Sequence, residues 1–178
     1  VGASELIRRF SPDCIVSTGV AGGIDACLKV TDVVASQRLV YHDVWCGDGN
    51  EYGQVQGFPA SYEGCSSLLK HALSLNEAGM ESRIHSGLVC TGDQFITNRT
   101  ELDTIKQRFP DGLAVDMESV AIAQTCYLYN TPFLSFRIIS DTPWVDDHAS
   151  QYADFWGTMA ERSFLTIWTF LSTLPSNL

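Results

Sequence analysis

The amino-acid sequence predicts an α/β fold, a three-layer αβα sandwich in which helices cover both faces of a mixed, largely parallel sheet. Apolar runs of strand length alternate along the chain with stretches of helical periodicity, a pattern typical of such sheets. With 178 residues, 45% of them hydrophobic, the chain is long enough to bury one core and too short for two. A single domain over residues 1–178 is therefore expected.

The predicted elements follow one another in a regular order. Strands are expected over residues 13–17, 33–41, 83–91, 113–116 and 133–140. Helices are expected over residues 3–10, 66–78, 100–109, 118–129 and 152–174. A glycine-rich turn is predicted over residues 18–23, directly after the first strand. Residues 42–62 are predicted to form a structured loop that exposes Trp45, Tyr52 and Phe58 and serves a function or a partner.

Composition excludes several classes of protein. Acidic residues outnumber basic ones by 21 to 11 and the basic residues are scattered, so neither nucleic acid nor an acidic membrane surface is expected as a partner. The longest apolar run, residues 164–171, contains two threonines and is too short to cross a bilayer. The six cysteines form no Cys-x-x-Cys pair and the four histidines stand apart from them. We therefore expect reduced thiols in a cytoplasmic protein, with no metal and no cofactor.

Four predicted strands end in polar or glycine-rich sequences, at residues 17–23, 91–96, 116–118 and 140–141. Because ligands of such sheets bind beyond the carboxyl ends of the strands, these ends are expected to share one pocket. Each has an ordinary explanation when it is taken alone. Glycines form turns, Asp141 suits a turn or a helix cap, and Glu118 at a helix start is favoured by the helix dipole.

Taken together, four segments occur in an order that carries a family resemblance. They are Ser17-Thr18-Gly19-Val20-Ala21-Gly22-Gly23, Gly92-Asp93-Gln94-Phe95-Ile96, Ala114-Val115-Asp116-Met117-Glu118-Ser119-Val120-Ala121 and Arg137-Ile138-Ile139-Ser140-Asp141. The order resembles that of the nucleoside phosphorylase and nucleosidase superfamily. Tyr41-His42-Asp43 and Glu51-Tyr52-Gly53-Gln54 are similar to its 5'-methylthioadenosine/S-adenosylhomocysteine nucleosidase branch. The resemblance runs along the whole chain and implies hydrolysis of these nucleosides to adenine and a 5-thio-substituted ribose.

The resemblance also implies roles for individual side chains. Breaking an N-glycosidic bond builds positive charge on the ribose while the leaving purine gains electrons, so protonation of purine N7 lowers the barrier. Asp141 is expected to supply that proton or a strong hydrogen bond. Glu118 is expected to accept hydrogen bonds from two ribose hydroxyls, and Met117 is expected to lie along the sugar. Ordinary core packing is the alternative for Met117.

Further residues are expected to bind the substrate. Phe95 resembles the residue that stacks on adenine and Ile96 the residue whose backbone reads the base edge, with core burial as the alternative for both. Tyr152 lies roughly where the family places an aromatic ring over the 5'-substituent, although residues 144–150 differ in length from the family. The remaining expected contacts are Ala21, Gly22, Val115, Asp116 and Ser140.

Water is the expected nucleophile. Phosphorylases of the superfamily carry an arginine just before the glycine-rich segment, where this chain has Ile15, Val16 and Ser17. Arg137, together with the backbone of residues 20–21, is expected to position the water, and an ion-pair role is the alternative for Arg137. A purine nucleoside phosphorylase and a futalosine-type hydrolase remain the alternative enzymes.

The resemblance further implies a glutamate upstream of Val1 that activates the water. The chain begins at Val1 inside a helical run, so we expect an N-terminal segment with the first strands of the sheet to be missing. This leaves a non-catalytic nucleoside-binding module as an alternative function. Asp116 stands where many relatives have glutamate. The aromatic loop implies a two-fold homodimer in which the loop reaches the neighbouring subunit's 5'-substituent pocket.

Overall fold

The structure is a computed structural model that describes residues 1–79, 82–142, 148–158 and 160–175. The strands are β1 (Ile15–Gly23), β2 (Val33–Tyr41), β3 (Tyr62–Glu63), β4 (Ile84–Thr91), β5 (Gly112–Asp116) and β6 (Phe133–Asp141). The helices are α1 (Gly2–Phe10), α2 (Ser66–Ser74), α3 (Arg99–Arg108), α4 (Ser119–Tyr129), α5 (His148–Thr158) and α6 (Ala160–Ser172), and a 3-10 turn (Leu75–Ala78) follows α2. Residues 144–150 were expected to differ in length from the family, and of these, residues 144–147 lie outside the described part.

The strands form one mixed sheet in the order β3-β2-β4-β5-β1-β6. Pairing is parallel between β1 and β6, between β2 and β4 and between β4 and β5. It is antiparallel between β1 and β5, between β2 and β3 and between β2 and β6. The predicted α/β class with a mixed, largely parallel sheet is therefore confirmed. The β2–β6 pairing closes the sheet on itself in a barrel-like way, which was not predicted.

The carboxyl ends of four strands meet because of how β1 and β5 overlap. These two strands run antiparallel and pair only at Gly22 with Val115 and at Gly23 with Ala114. Each also belongs to a parallel pair, β1 with β6 and β5 with β4. The antiparallel overlap therefore brings the carboxyl ends of the two parallel pairs together at one place.

The predicted turn over residues 18–23 is wrong, because β1 continues through these residues to Gly23. The glycines do not adopt left-handed backbone angles. They allow close approach instead. A Cβ atom at Gly19 would overlap the Arg137 guanidinium, and a Cβ atom at Gly23 would lie 3.2 Å from the Ile139 side chain. The glycine-rich segment is thus a strand that leaves room for side chains of β6.

Several other boundaries differ from the predictions. The two-residue strand β3 was not predicted, and Tyr62 in it was assigned to the loop. The predicted helix over residues 152–174 corresponds to α5 and α6, and α5 begins four residues earlier, at His148. The described helices include none that is long and apolar enough to cross a membrane.

The loop over residues 42–61 folds mainly against its own chain. Tyr52 stacks on Trp45, with ring centroids 6.0 Å apart, and lies under the Arg108 guanidinium at 4.1 Å. Phe58 packs edge-on against Tyr127, with centroids 6.5 Å apart. Tyr52 and Phe58 are half-buried, so the prediction that they are exposed is wrong, because aromatic rings of the same chain cover them. Trp45 is exposed, with 54% of its surface accessible.

Strand β6 positions the functional side chains. All nine of its residues are buried, including Ser135, Arg137, Ser140 and Asp141. Buried polar groups must find hydrogen-bond partners inside the protein or on a bound molecule. The partners of these four side chains define the site.

Candidate active site

A cavity of about 430 Å³ opens where the carboxyl ends of β1, β5 and β6 meet. All of the predicted site residues line it, namely Ala21, Gly22, Phe95, Ile96, Val115, Asp116, Met117, Glu118, Arg137, Ser140, Asp141 and Tyr152. Val20, whose backbone was expected to help position the water, also lines it, as do residues to which no role had been assigned, namely Ser17, Thr18, Gly19, Gln94, Ile122 and Trp156. The structure brings the predicted residues together, and their individual roles stay predictions.

Asp116 and Arg137 form a buried ion pair at the floor of the cavity. Arg137 Nε lies 2.8 Å from Asp116 Oδ2, and both side chains are almost fully inaccessible to solvent. The other carboxylate oxygen, Oδ1, accepts hydrogen bonds from Thr91 Oγ1 at 2.5 Å and from the Ser119 backbone N–H at 3.3 Å. Both oxygens of Asp116 are thus engaged by the protein. Removing one member of such a buried pair strongly destabilises the fold, because the other charge is left buried without its partner.

The distal end of Arg137 reaches two residues at the cavity wall. Its Nη2 donates to Ser17 Oγ at 3.2 Å and lies 3.5 Å from Glu118 Oε2. Gly19, which pairs with Arg137 in the β1–β6 register, leaves the space that the guanidinium fills. These contacts show that Arg137 takes part in ion pairs, and its expected role in positioning the water stays a prediction.

Glu118 precedes α4, and its side chain makes no capping hydrogen bond to the helix. The first N–H groups of α4 are bonded instead by Asp116 Oδ1 and, at Val120, by Thr91 Oγ1. The Glu118 side chain is 60% exposed and faces Arg137 across the cavity. Its carboxylate is therefore oriented by a cation and still accessible to a bound molecule.

Asp141 lies at the end of β6 and is buried. Its Oδ1 accepts a hydrogen bond from Ser140 Oγ at 2.7 Å. A Cβ atom at Gly22 would come within 3.2 Å of Asp141 Oδ2 and 3.3 Å of the Val115 side chain. The absence of a side chain at Gly22 therefore lets the Asp141 carboxyl group lie against β1 at the wall of the cavity.

An aromatic wall closes the side of the cavity that faces α5. The rings of Phe95 and Tyr152 meet edge-on with centroids 5.4 Å apart, and Trp156 meets Tyr152 edge-on at 6.1 Å. Trp156 was missed in the sequence. Its spacing of four residues from Tyr152 places both on one helix face, and that spacing is the signal that could have found it. The wall offers a planar, apolar surface for a ring or an alkyl group.

The Tyr41-His42-Asp43 motif anchors the segment that carries Phe95. The His42 backbone N–H donates to the Thr91 carbonyl at 2.9 Å, and Asp43 Oδ2 accepts from the Asp93 N–H at 2.8 Å. His42 packs against Gly92, and burial lowers the pKa of its imidazole. The end of β2 thus fixes the start of the segment after β4.

No cluster of three or more metal-binding side chains occurs among residues 1–79, 82–142, 148–158 and 160–175.

Known proteins share both the sequence and the fold. A model of the phosphorylase superfamily matches residues 1–172. A curated 5'-methylthioadenosine/S-adenosylhomocysteine nucleosidase from Chromohalobacter salexigens is 43% identical over 142 residues, which are 79% of this chain and 60% of that relative. The chain thus spans about 60% of the length of the curated relatives that it matches.

Two solved structures extend the comparison. The nucleosidase of this type from Neisseria meningitidis, in complex with methylthio-immucillin-A, is 32% identical with a TM-score of 0.88, covering 97% of this chain and 74% of that one. The nucleosidase from Colwellia psychrerythraea 34H, in complex with adenine, is 33% identical with a TM-score of 0.89, covering 99% and 74%. With the superfamily match over residues 1–172, these likenesses show that the chain belongs to the phosphorylase superfamily and, within it, to the 5'-methylthioadenosine/S-adenosylhomocysteine nucleosidase family.

Proposed function

We propose that the protein hydrolyses the N-glycosidic bond of 5'-methylthioadenosine and S-adenosylhomocysteine, releasing adenine and a 5-thio-substituted ribose. The observation that carries the proposal is one cavity that combines a buried carboxyl group, an accessible carboxylate and an aromatic wall. Relatives with the same fold bind adenine and methylthio-immucillin-A. The activity, the substrates and the site roles below are all part of the proposal.

Asp141 is the proton donor to purine N7. A buried carboxyl group at the wall of the cavity supports this role, because a general acid must lie within hydrogen-bond reach of the leaving base. Ser140 donates to one of its oxygens at 2.7 Å and thereby orients the carboxyl group. Phe95 stacks on the base, and Ile96 and Val115 line the space around it.

Glu118 binds the ribose hydroxyls. An ionised carboxylate has two acceptor oxygens, so it can accept from two neighbouring hydroxyls, and the exposure of Glu118 leaves it open to do so. Arg137 holds this carboxylate from behind, and Asp116 holds Arg137. Asp116 therefore acts on the substrate through Arg137, because its own oxygens are engaged. Met117 lies along the sugar, and Tyr152 and Trp156 contact the 5'-substituent.

Water is the nucleophile. Among the described residues that line the cavity, the charged ones are Asp116, Glu118, Asp141 and Arg137, three acids against one base. Even with Asp141 protonated, one negative charge is in excess, which repels a phosphate dianion and stabilises a cationic ribose. Arg137 is already bound to Asp116, Ser119 and Ser17, so its donors are not arranged as a fork for phosphate.

Product analysis tests this function. The purified protein is incubated with methylthioadenosine in phosphate-free buffer and the products are separated by chromatography. Adenine and free 5-methylthioribose are expected, at a rate that added phosphate does not raise. A requirement for phosphate and a ribose 1-phosphate product would identify a phosphorylase. Turnover of futalosine in preference to methylthioadenosine would identify the other hydrolase, and adenine binding without hydrolysis would identify a binding module.

The proposal extends to assembly and setting. The single domain works as a two-fold homodimer in the cytoplasm, in methionine salvage, with no nucleic acid or membrane partner. Trp45 supports the dimer, because it stays exposed on an acidic protein and aromatic side chains are enriched at interfaces. Sedimentation is expected to give a dimer at micromolar concentration, and a monomer would exclude it.

The contribution of the Trp45 loop to the partner's cavity needs a mixing experiment. Glu118→Gln and Trp45→Ala, each expected to have low activity alone, are mixed under conditions that exchange subunits. If the loop completes the partner's cavity, a mixed dimer has one working site and activity is partly restored. Exchange without recovery would mean that each cavity is built within one chain.

A further inference from the structure

A group of fully buried hydroxyls lies beneath the Asp116–Arg137 ion pair. Ser119 Oγ contacts Asp116 Oδ2, lies 3.1 Å from Arg137 Nε and lies 2.6 Å from Ser135 Oγ. The Ser135 backbone N–H in turn donates to Ser36 Oγ at 2.9 Å. These serines are inaccessible to solvent and stand on α4, β6 and β2. The group therefore links the floor of the cavity to the interior of the closed sheet.

The hydrogen bonds of Ser119 can have only one direction. Asp116 is an acceptor as a carboxylate, so Ser119 donates its single proton to it, and Arg137 Nε can only donate to Ser119. The proton between the two serines must then come from Ser135. Ser119 thus makes one donation and two acceptances, the full capacity of a hydroxyl group. A saturated buried group of this kind is fixed in orientation.

The orientation of Ser119 determines where Arg137 points. Nε is held between Asp116 and Ser119, so the guanidinium plane is fixed at its near end. The far end, Nη2, then faces Ser17 Oγ and Glu118 Oε2. Glu118 is accessible, and its side chain makes no helix-capping bond. Among the residues that the structure describes, Arg137 is therefore the contact that sets the position of the Glu118 carboxylate.

We infer that Ser119 is a positioning residue for ribose recognition, acting on Glu118 through Arg137. Ser135 supports it by donating to its hydroxyl. The inference deepens the proposed function and rests on it, because it assigns a further residue to the recognition of the two ribose hydroxyls.

A double-mutant cycle tests the inference. Ser119→Ala is expected to lower kcat/KM for methylthioadenosine about tenfold, the size of coupling found between contacting groups. Ser119 is inferred to act through Glu118. Introducing Ser119→Ala into the Glu118→Gln variant should therefore change kcat/KM less than about twofold. Ser119→Ala alone should also change kcat/KM for the 2',3'-dideoxy analogue less than about twofold, since that substrate lacks the ribose hydroxyls. Losses that multiply in the double variant, or equal damage to both substrates, would overturn the inference.

Two variants separate positioning from folding. Ser119→Ala leaves the buried Ser135 hydroxyl without its acceptor, which lowers stability by itself. The Ser119→Ala/Ser135→Ala variant also removes the stranded Ser135 hydroxyl. It is expected to regain part of the melting temperature, because the hydrogen bonds of Ser119 to Asp116 and Arg137 stay lost, and to regain none of kcat/KM. Recovery of kcat/KM together with stability would show a structural role only. Ser82→Ala, at a buried serine outside the cavity, is the matched control and is expected to keep kcat/KM.

A crystal structure of Ser119→Ala gives a readout that does not need turnover. Arg137 is expected to rotate and the Glu118 carboxylate to leave its place beside Nη2. Unchanged positions of both side chains would overturn the inference even if the wild-type protein is active. A wild-type protein that does not hydrolyse methylthioadenosine would refute the proposed function instead, and the crystal structure would still decide the role of Ser119.

Discussion

Glu118→Gln removes the charge proposed to bind the ribose while nearly preserving the shape of the side chain. The ion pair with Arg137 spans 3.5 Å at a side chain that is 60% exposed, and such pairs stabilise a fold by about 0–1 kcal/mol. Folding should therefore be retained. Hydrogen bonds to a charged group are worth about 1.5–3 kcal/mol, so kcat/KM for methylthioadenosine should fall about 10- to 100-fold.

The assay compares two substrates on three proteins. Adenine release from methylthioadenosine and from its 2',3'-dideoxy analogue is measured for wild type, Glu118→Gln and Glu5→Gln. Glu5 is an exposed glutamate in the first turn of α1 that does not line the cavity, so Glu5→Gln should match wild type. The large loss should appear only for Glu118→Gln with the riboside. An equal loss with the dideoxy analogue would refute ribose binding and point to a structural role.

Two further predictions concern packing and pH. Gly19→Ala places a methyl group against the Arg137 guanidinium and should lower stability by about 1–3 kcal/mol and reduce turnover, whereas Gly2→Ala, with nothing nearby, should do neither; urea titration and initial rates measure both. Asp25 has its pKa lowered from 3.8 to about 2, chiefly by the hydrogen bond from Lys106 at 2.6 Å. Asp25→Asn should therefore cost about 1 kcal/mol above pH 4, and the difference should vanish as the pH falls through about 2; a constant difference in unfolding free energy over that range would contradict this.

Local patterns in the sequence determined most of the fold. Segments of strand-like and helix-like pattern alternate along the chain, and this alternation was enough to predict five of the strands and the positions of the helices. Closure of the sheet was not predictable, since the β2–β6 pairing depends on a register between distant segments. The turn over residues 18–23 was wrongly predicted from the glycines of β1. A glycine that allows close approach of another chain segment cannot be told in the sequence from a glycine that forms a turn.

The site residues likewise fall into those that the sequence predicted and those that it did not. Residues carried by the family motifs were predicted, and they do line one cavity. Trp156 lies outside the motifs, and Ser119 lies inside one without an expected role. Both were missed because each contributes through neighbours that only the tertiary structure supplies. Likewise, sequence alone could not show that Tyr52 is covered by Arg108, since those residues are far apart along the chain.

The most direct test of the account compares Asp141→Asn with wild type in phosphate-free methylthioadenosine hydrolysis. An amide can still accept the hydrogen bond from Ser140, so the fold should persist, but it has no carboxyl proton for purine N7. If Asp141 is the proton donor, wild type releases adenine and Asp141→Asn does so about a hundredfold more slowly or worse, the loss expected for a general acid. Adenine release by Asp141→Asn at close to the wild-type rate would contradict it.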